Sequence, residues 1–185
     1  MAKPLTKVVN MFAGPSAGKS TNAAGIFHYM KAKRMNVEYV PEYAKDLVWR
    51  KNFETLDDQL HIFGEQHARM YALLGQVDWI VTDSPILMQL VYMPEGLKKY
   101  KPHENLNKTF ENIAFEVFSQ YENFNFYIDR GDRKFIQEGR TQDKPRALEK
   151  DMQVKEMLDR LQVPYTVVPN YETIIKELHE HIHPE

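Results

Sequence analysis

An apolar run, Val8-Val9-Asn10-Met11-Phe12, breaks directly into Ala13-Gly14-Pro15-Ser16-Ala17-Gly18-Lys19-Ser20-Thr21, and a helix-patterned segment starts at Lys19. No other stretch narrows the fold so far. A strand, a glycine-bearing turn and a helix in immediate succession bring the start of the helix to the carboxyl end of the strand. In that setting the backbone N–H groups of the turn converge on one point, which the positive end of the helix dipole also faces. A phosphate satisfies both. Lys19 adds a formal charge beside the outer phosphates, and the Ser20 hydroxyl is an oxygen ligand of the kind Mg²⁺ takes. Gly14, Ser16, Ala17, Gly18, Lys19, Ser20 and Thr21 are therefore the expected phosphate-holding residues, with Ser20 also on the metal. An ordinary loop ending in lysine is the alternative, and it leaves the Ala-Gly-Lys-Ser-Thr ending unexplained.

The remaining chain supplies layers around such a loop. Ala23, Ile26, Phe27 and Met30 recur at helical spacing, so Lys19 to about Arg34 reads as an amphipathic helix. Val37–Val40, Trp79–Thr82, Phe124–Ile128 and Tyr165–Val168 read as further strands, Trp79–Thr82 as one buried on both faces. Helices are expected over 42–49, along the stripe Leu56, Leu60, Phe63, His67, Met70 and Leu74, over 109–121, around Leu148–Leu161 and from Tyr171. The helix over 109–121 is expected to bury Phe110, Ile113, Ala114, Val117 and Phe118. About 93–108, rich in Pro, Gly, Asn and Lys, reads as a long mobile loop. Strands alternating with helices predict an α/β, three-layer sandwich with a five-stranded parallel sheet covered on both faces. With 185 residues, 43% of them hydrophobic, one domain spanning 1–185 is expected.

Charge and composition exclude several classes of function. The 24 basic and 26 acidic residues leave a net charge of -2, which gives no global attraction to DNA or an anionic membrane. No apolar run approaches the roughly twenty residues of a membrane span, and Met1-Ala2-Lys3-Pro4 lacks the apolar core of a signal peptide. The absence of cysteine removes disulfide and thiolate-metal chemistry and suits a reducing compartment. A cytoplasmic protein without a membrane partner is the expectation.

Ligands of parallel sheets bind beyond the carboxyl ends of the strands. Gly18-Lys19, Glu42, Asp83 and Arg130 each follow a strand end and should meet along one edge. Each has a plainer reading: Asp83 as a helix N-cap, Glu42 as a first-turn carboxylate, and Arg130, Arg133, Lys134 and Arg140 as a solvated loop. Gln59, Gln66 and Arg69 either read a ligand or face solvent, and Asn170-Tyr171 either borders a nucleotide base or starts a helix. Lys98, Lys99 and Lys101 either grip a polyanion or belong to a solvated loop. His179, His181 and His183 either hold a metal or belong to a frayed terminus, and the terminus is the favoured reading.

Together, Ala13-Gly-Pro-Ser-Ala-Gly-Lys-Ser-Thr21, Glu42-Tyr43-Ala44-Lys45, Ile80-Val-Thr-Asp-Ser84 and Gly139-Arg140-Thr141-Gln142 resemble the P-loop kinase superfamily. Within it the chain is similar to the ribosylnicotinamide-kinase-like group that includes phage nucleotide kinases. The first motif resembles a Walker A loop, departing from it where Ala13 stands for the usual first glycine. The resemblance implies a P-loop NTP hydrolase fold with strand order 2-3-1-4-5, ATP and Mg²⁺ as cofactors, and a lid over about 129–144. It implies Lys19, Glu42, Asp83, Arg130, Arg133 and Arg140 as the catalytic set, with Ser20 and Asp83 on the metal. Glu42 or Asp83 would face the acceptor and take its proton, while the arginines would close over the triphosphate. Ser84 stands where hydrolytic P-loop ATPases usually carry glutamate, which favours transfer to an acceptor.

A nucleoside, nucleotide or nicotinamide riboside acceptor is thereby implied, a monophosphate calling on Lys45, Arg50 and Arg69. The alternatives are a hydroxyl of modified DNA, which the net charge does not favour, and a nucleotide-binding regulatory ATPase. The sequence leaves a homo-oligomer open.

Overall fold

The computed structural model describes residues 5–96, 104–132 and 143–182. In chain order the elements are β1 (Lys7–Phe12), α1 (Lys19–Ala32), β2 (Val37–Val40), α2 (Tyr43–Trp49), α3 (Phe53–Asp57) and α4 (Gln59–Tyr71). Then come β3 (Trp79–Thr82), a 3₁₀ turn (Ile86–Met88), α5 (Gln89–Gly96), α6 (Glu104–Phe118), β4 (Glu122–Ile128), α7 (Lys144–Arg160), β5 (Thr166–Val168), α8 (Tyr171–Glu177) and α9 (His179–Ile182). The five strands form one sheet in the order β2-β3-β1-β4-β5, every neighbouring pair parallel. Sheet type and strand order are those expected.

The uniformly apolar strands follow from burial on both faces. Val8, Phe12 and Ile80 belong to a core with Met70, Ala114, Phe118, Val154 and Leu158 from α4, α6 and α7. Val9, Met11 and Val81 belong to a second core, with Ala23, Ile26 and Met30 of α1, Ile174 of α8, Leu178 at its C-cap and Ile182 of α9. Each fully buried aliphatic or Met side chain contributes on the order of 1.5–3 kcal/mol relative to exposure. The polar exception inside β1 is Asn10, whose Nδ2 donates to Asn123 Oδ1 at 2.9 Å and Asn125 Oδ1 at 3.0 Å. Register aligns Asn10 with Thr82 on one side and Asn125 on the other, while Val40 opposes Thr82. The carboxyl ends of β1 to β4 are thus held level, and the segments leaving them emerge at one edge.

Three sequence expectations need correction. The loop expected over 93–108 is helical at both ends: α5 continues through Pro94 to Gly96 and α6 already starts at Glu104. Residues 97–103 lie outside the described residues. Met93 and Phe110 are buried together against Phe63, Leu90 and Leu106, and this long-range burial outweighs the loop-like composition. The stripe from Leu56 to Leu74 is divided, because Asp58 caps a new helix by accepting from the His61 N–H at 3.1 Å. The inward face of α4 is then Ile62, Gln66 and Met70, with Leu60 38% exposed. Ile113, expected inside α6, is 49% exposed. Elsewhere element bounds fall within a few residues of the expected ones.

Candidate active site

The loop expected to hold phosphate is shaped by two left-handed residues, Ser16 at φ 59° and Gly18 at φ 100°. Such residues turn successive N–H groups to one side, the geometry of an anion-binding nest. α1 starts from Gly18 with no side-chain cap and no acid in its first turn, an end that an anion would complete. Lys19 Nζ donates to the carbonyls of Ala13 (2.9 Å) and Gly14 (3.0 Å), which sets its charge inside the loop. Gly14 itself is required by packing. A Cβ there would stand 2.6 Å from the Ala147 carbonyl oxygen and 2.7 Å from Asp151 Oδ1. α7 lies on residue 14, so a side chain has to be absent there.

The ends of β2 and β3 are joined. Asp83, 2% exposed, accepts from the Glu42 N–H through Oδ1 at 2.9 Å, and the Tyr39 phenol lies beside it. Burial, then the charges of Asp83 and Glu42, pushes the Tyr39 phenol far above its ordinary value, so that it stays protonated beside Asp83. Asp83 does not act as a helix cap, because Pro85 precedes the 3₁₀ turn where Asp83 would have to cap it, and Glu42 stands at the start of α2 without a side-chain cap bond. Thr82 Oγ1 donates to the Val40 carbonyl at 2.8 Å and accepts from the Ser84 N–H at 3.1 Å, which stiffens the same turn.

Arg130 leaves the end of β4 toward the loop. Its Nε donates to Asp151 Oδ2 at 2.8 Å and its NH2 to the Pro15 carbonyl at 2.7 Å. The other oxygen of Asp151 accepts from the Gly14 N–H at 2.6 Å. Arg133, Lys134 and Arg140, and with them most of the expected lid, lie outside the described residues, as do Lys98, Lys99 and Lys101. The four strand ends thus meet as two described pairings: Glu42 with Asp83, and Arg130 with the phosphate loop.

Gln66 is fully buried, where a solvent-facing position had been an option. Its Oε1 accepts from the Tyr43 N–H at 3.1 Å, and among the described residues its Nε2 has no partner. Arg69 lies over the Tyr43 ring at 4.8 Å and pairs with Asp46 at 3.3 Å, and the Tyr43 hydroxyl meets His61 Nε2 at 3.0 Å. Asn170 is committed as the cap of α8, accepting from the N–H and Oγ1 of Thr173. The Tyr171 ring packs on α1 so closely that a Cβ on Gly25 would stand 2.5 Å from it. His181 sets its ring edge-on to Phe124 at 4.6 Å, and no metal-holding group of three His, Cys, Asp or Glu exists among the described residues.

Sequence reasoning missed Tyr39 and Asp151. Tyr39 carries only the signature of a half-buried strand residue. Asp151 is a helix acid 137 positions from its loop partner, with no local pattern to mark it.

Residues 8–174 match the family described as AAA domain. No curated protein matches the sequence. Among solved structures, a NadR protein in complex with NR superposes with a TM-score of 0.63 at 18% identity, over 96% of this chain and 52% of that one. The chain thus spans about half the length of that NadR chain. Deoxyadenosine kinase from M. mycoides with bound dATP superposes with a TM-score of 0.58 at 17% identity, over 93% of this chain and 99% of that one. The same kinase with its products dCMP and dCDP gives 0.56 at 14% identity, over 96% and 100%. At these identities the likeness is one of fold.

Proposed function

We propose, from the premise that this chain belongs to the AAA domain family and is a member of the P-loop kinase superfamily, that it is an ATP-dependent kinase whose acceptor is the hydroxyl of a nucleoside-type compound. The observation that carries this reading is the division of labour between two acids at adjacent strand ends. Asp83 is buried and held by the Glu42 N–H, with the Tyr39 phenol beside it, whereas the carboxylate of Glu42 makes no cap bond to α2.

The nest of Ser16 to Ser20 holds the phosphates of ATP, and Lys19 offsets charge that develops on them. Asp83 and the Ser20 hydroxyl are hard oxygen donors that suit Mg²⁺, which when bound neutralises phosphate charge. Glu42 accepts the proton of the acceptor hydroxyl while aiming its oxygen. The oxygen–phosphorus bond forms as the bond to the ADP oxygen breaks. Gln66, its Oε1 fixed by Tyr43, presents an amide donor on the acceptor side. A nucleoside suits this side better than a monophosphate, because the charge of Arg69 is already paired with Asp46.

Labelled ATP with Mg²⁺, offered to nucleosides, nicotinamide riboside, nucleoside monophosphates and hydroxymethylated DNA, tests the assignment. Label is expected on a nucleoside-type hydroxyl. Label on a monophosphate or on DNA would replace the acceptor class, and free phosphate alone would make the protein an ATPase. Glu42→Ala is expected to lower transfer by about a hundredfold or more, the size of a general-base contribution, while ATP still binds. Unchanged turnover would remove Glu42 from the chemistry.

A further inference from the structure

Asp151 stands outside every motif, yet among the described residues its carboxylate bonds directly to the phosphate loop. Its two carboxylate oxygens are divided between the Gly14 N–H (2.6 Å) and Arg130 Nε (2.8 Å). Arg130 closes the ring by donating to the Pro15 carbonyl at 2.7 Å. Both side chains are largely withdrawn from water, with 11% of Arg130 and 14% of Asp151 exposed. The bonds are charge-assisted, and removal of one partner leaves a poorly hydrated charge behind.

We infer that Asp151 is a positioning residue for nucleotide binding, acting through Gly14 and Arg130 to hold the first turn of the phosphate loop; the inference rests on the kinase reading of that loop. The nest works only while its N–H groups point to one place, and a loop with an anchor at one end alone does not keep them there. α1 anchors the far end at Gly18. The near end has Ala13 in place of the usual glycine, and its next two residues are each held by a charged side chain: Gly14 through its N–H, Pro15 through its carbonyl. The Gly14 N–H, expected from sequence to face phosphate, stands before the nest of Ser16 to Ser20 and is taken by Asp151 instead. α7 is also packed on residue 14 through the Ala147 carbonyl, so Asp151 arrives on a rigid support rather than on a mobile arm. Arg130, taken from sequence as a group that closes on the triphosphate, is in this arrangement a loop buttress.

The test is the affinity of the full-length chain for a fluorescent ATP analogue with Mg²⁺, with thermal midpoints measured alongside. It is made on Asp151→Asn, Asp151→Ala, Arg130→Ala and the Asp151→Ala/Arg130→Ala pair. Each single loss is expected to weaken the analogue by about tenfold or more, the scale of a lost charge-assisted bond. The double variant should lose less than the product of the single losses, because the residues act as one unit. In transfer assays KM for ATP should rise while KM for the acceptor stays put. Asn keeps an oxygen for Gly14 and sets an amide against Arg130, so Asp151→Asn should fall between wild type and Asp151→Ala with a near-native midpoint. Wild-type affinity in both Asp151 variants, or multiplicative losses in the double, would overturn the inference. So would losses that simply track the thermal midpoint. Because binding is read without turnover, a protein that binds the analogue and phosphorylates nothing sinks the kinase reading while leaving this test decisive.

Discussion

Tyr39 illustrates how one hydroxyl serves both packing and chemistry. Its ring lies 6.0 Å from Phe27 of α1, inside the core on that face of the sheet, and its oxygen reaches the edge where Asp83 sits. Asp83 is thereby held by the Glu42 N–H, with the Tyr39 phenol beside it. Tyr39→Phe keeps the ring and removes the donor. The Mg²⁺ concentration for half-maximal transfer is expected to rise about tenfold, the range of a hydrogen bond to a charged group, while the fold persists. A metal titration of the transfer rate checks this, and an unshifted midpoint would mean that Asp83 does not depend on that hydroxyl for its aim. Arg69 makes a complementary point, since its type and position suggest a phosphate ligand and its neighbours Tyr43 and Asp46 have already claimed it.

At the scale of elements, α4 contrasts with its own sequence pattern. The period from Leu56 to Leu74 presupposes one continuous helix, whereas the Asp58 cap starts a second one and brings Gln66 to the inner face. Gly64 sits within α4 on its exposed side, and a Cβ built there meets nothing within 4 Å. Neither packing nor backbone geometry asks for glycine at this place. Gly64→Ala is therefore expected to stabilise the fold by about 0.5–1 kcal/mol, the helix-propensity difference, raising the denaturation midpoint at an unchanged m-value. A destabilised Gly64→Ala protein would show that something approaches this face of α4. α7 is the opposite case. One of its acids, Asp151, holds the Gly14 N–H of the phosphate loop without any pattern in sequence to mark it.

For the whole molecule, burial of tyrosines sets a limit at alkaline pH. Tyr121 is pushed up to about 12 by burial and then by neighbouring Tyr71, and Tyr127 is raised further, first by burial and then by Asp151. Tyr39 is raised as well. A raised folded-state value means that the native protein keeps protons that the unfolded chain releases near pH 10. This stability is complete below that pH and declines as pH rises toward the folded values. Thermal midpoints measured from pH 8 to 12 should accordingly fall above about pH 10, together with delayed phenolate absorbance. Tyr121→Phe should flatten that fall, and an equally steep decline in the variant would assign it to other groups. Much of the architecture was legible in advance. The apolar runs of β1 and β3, the Gly18-Lys19-Ser20 turn and the alternation of strand with helix depend on neighbours in sequence, where periodicity and backbone preference act. Those local forces determined the parallel sheet, the phosphate loop at its edge and the placement of Glu42 and Asp83 at strand ends. Tertiary structure alone decided that Asp83 lies beside Tyr39, that Gln66 is buried, that Arg130 braces the loop and that Asp151 is its partner. Each of these joins residues far apart in the chain, and only packing of α7 and β2 on the central strands fixes which donors and acceptors meet.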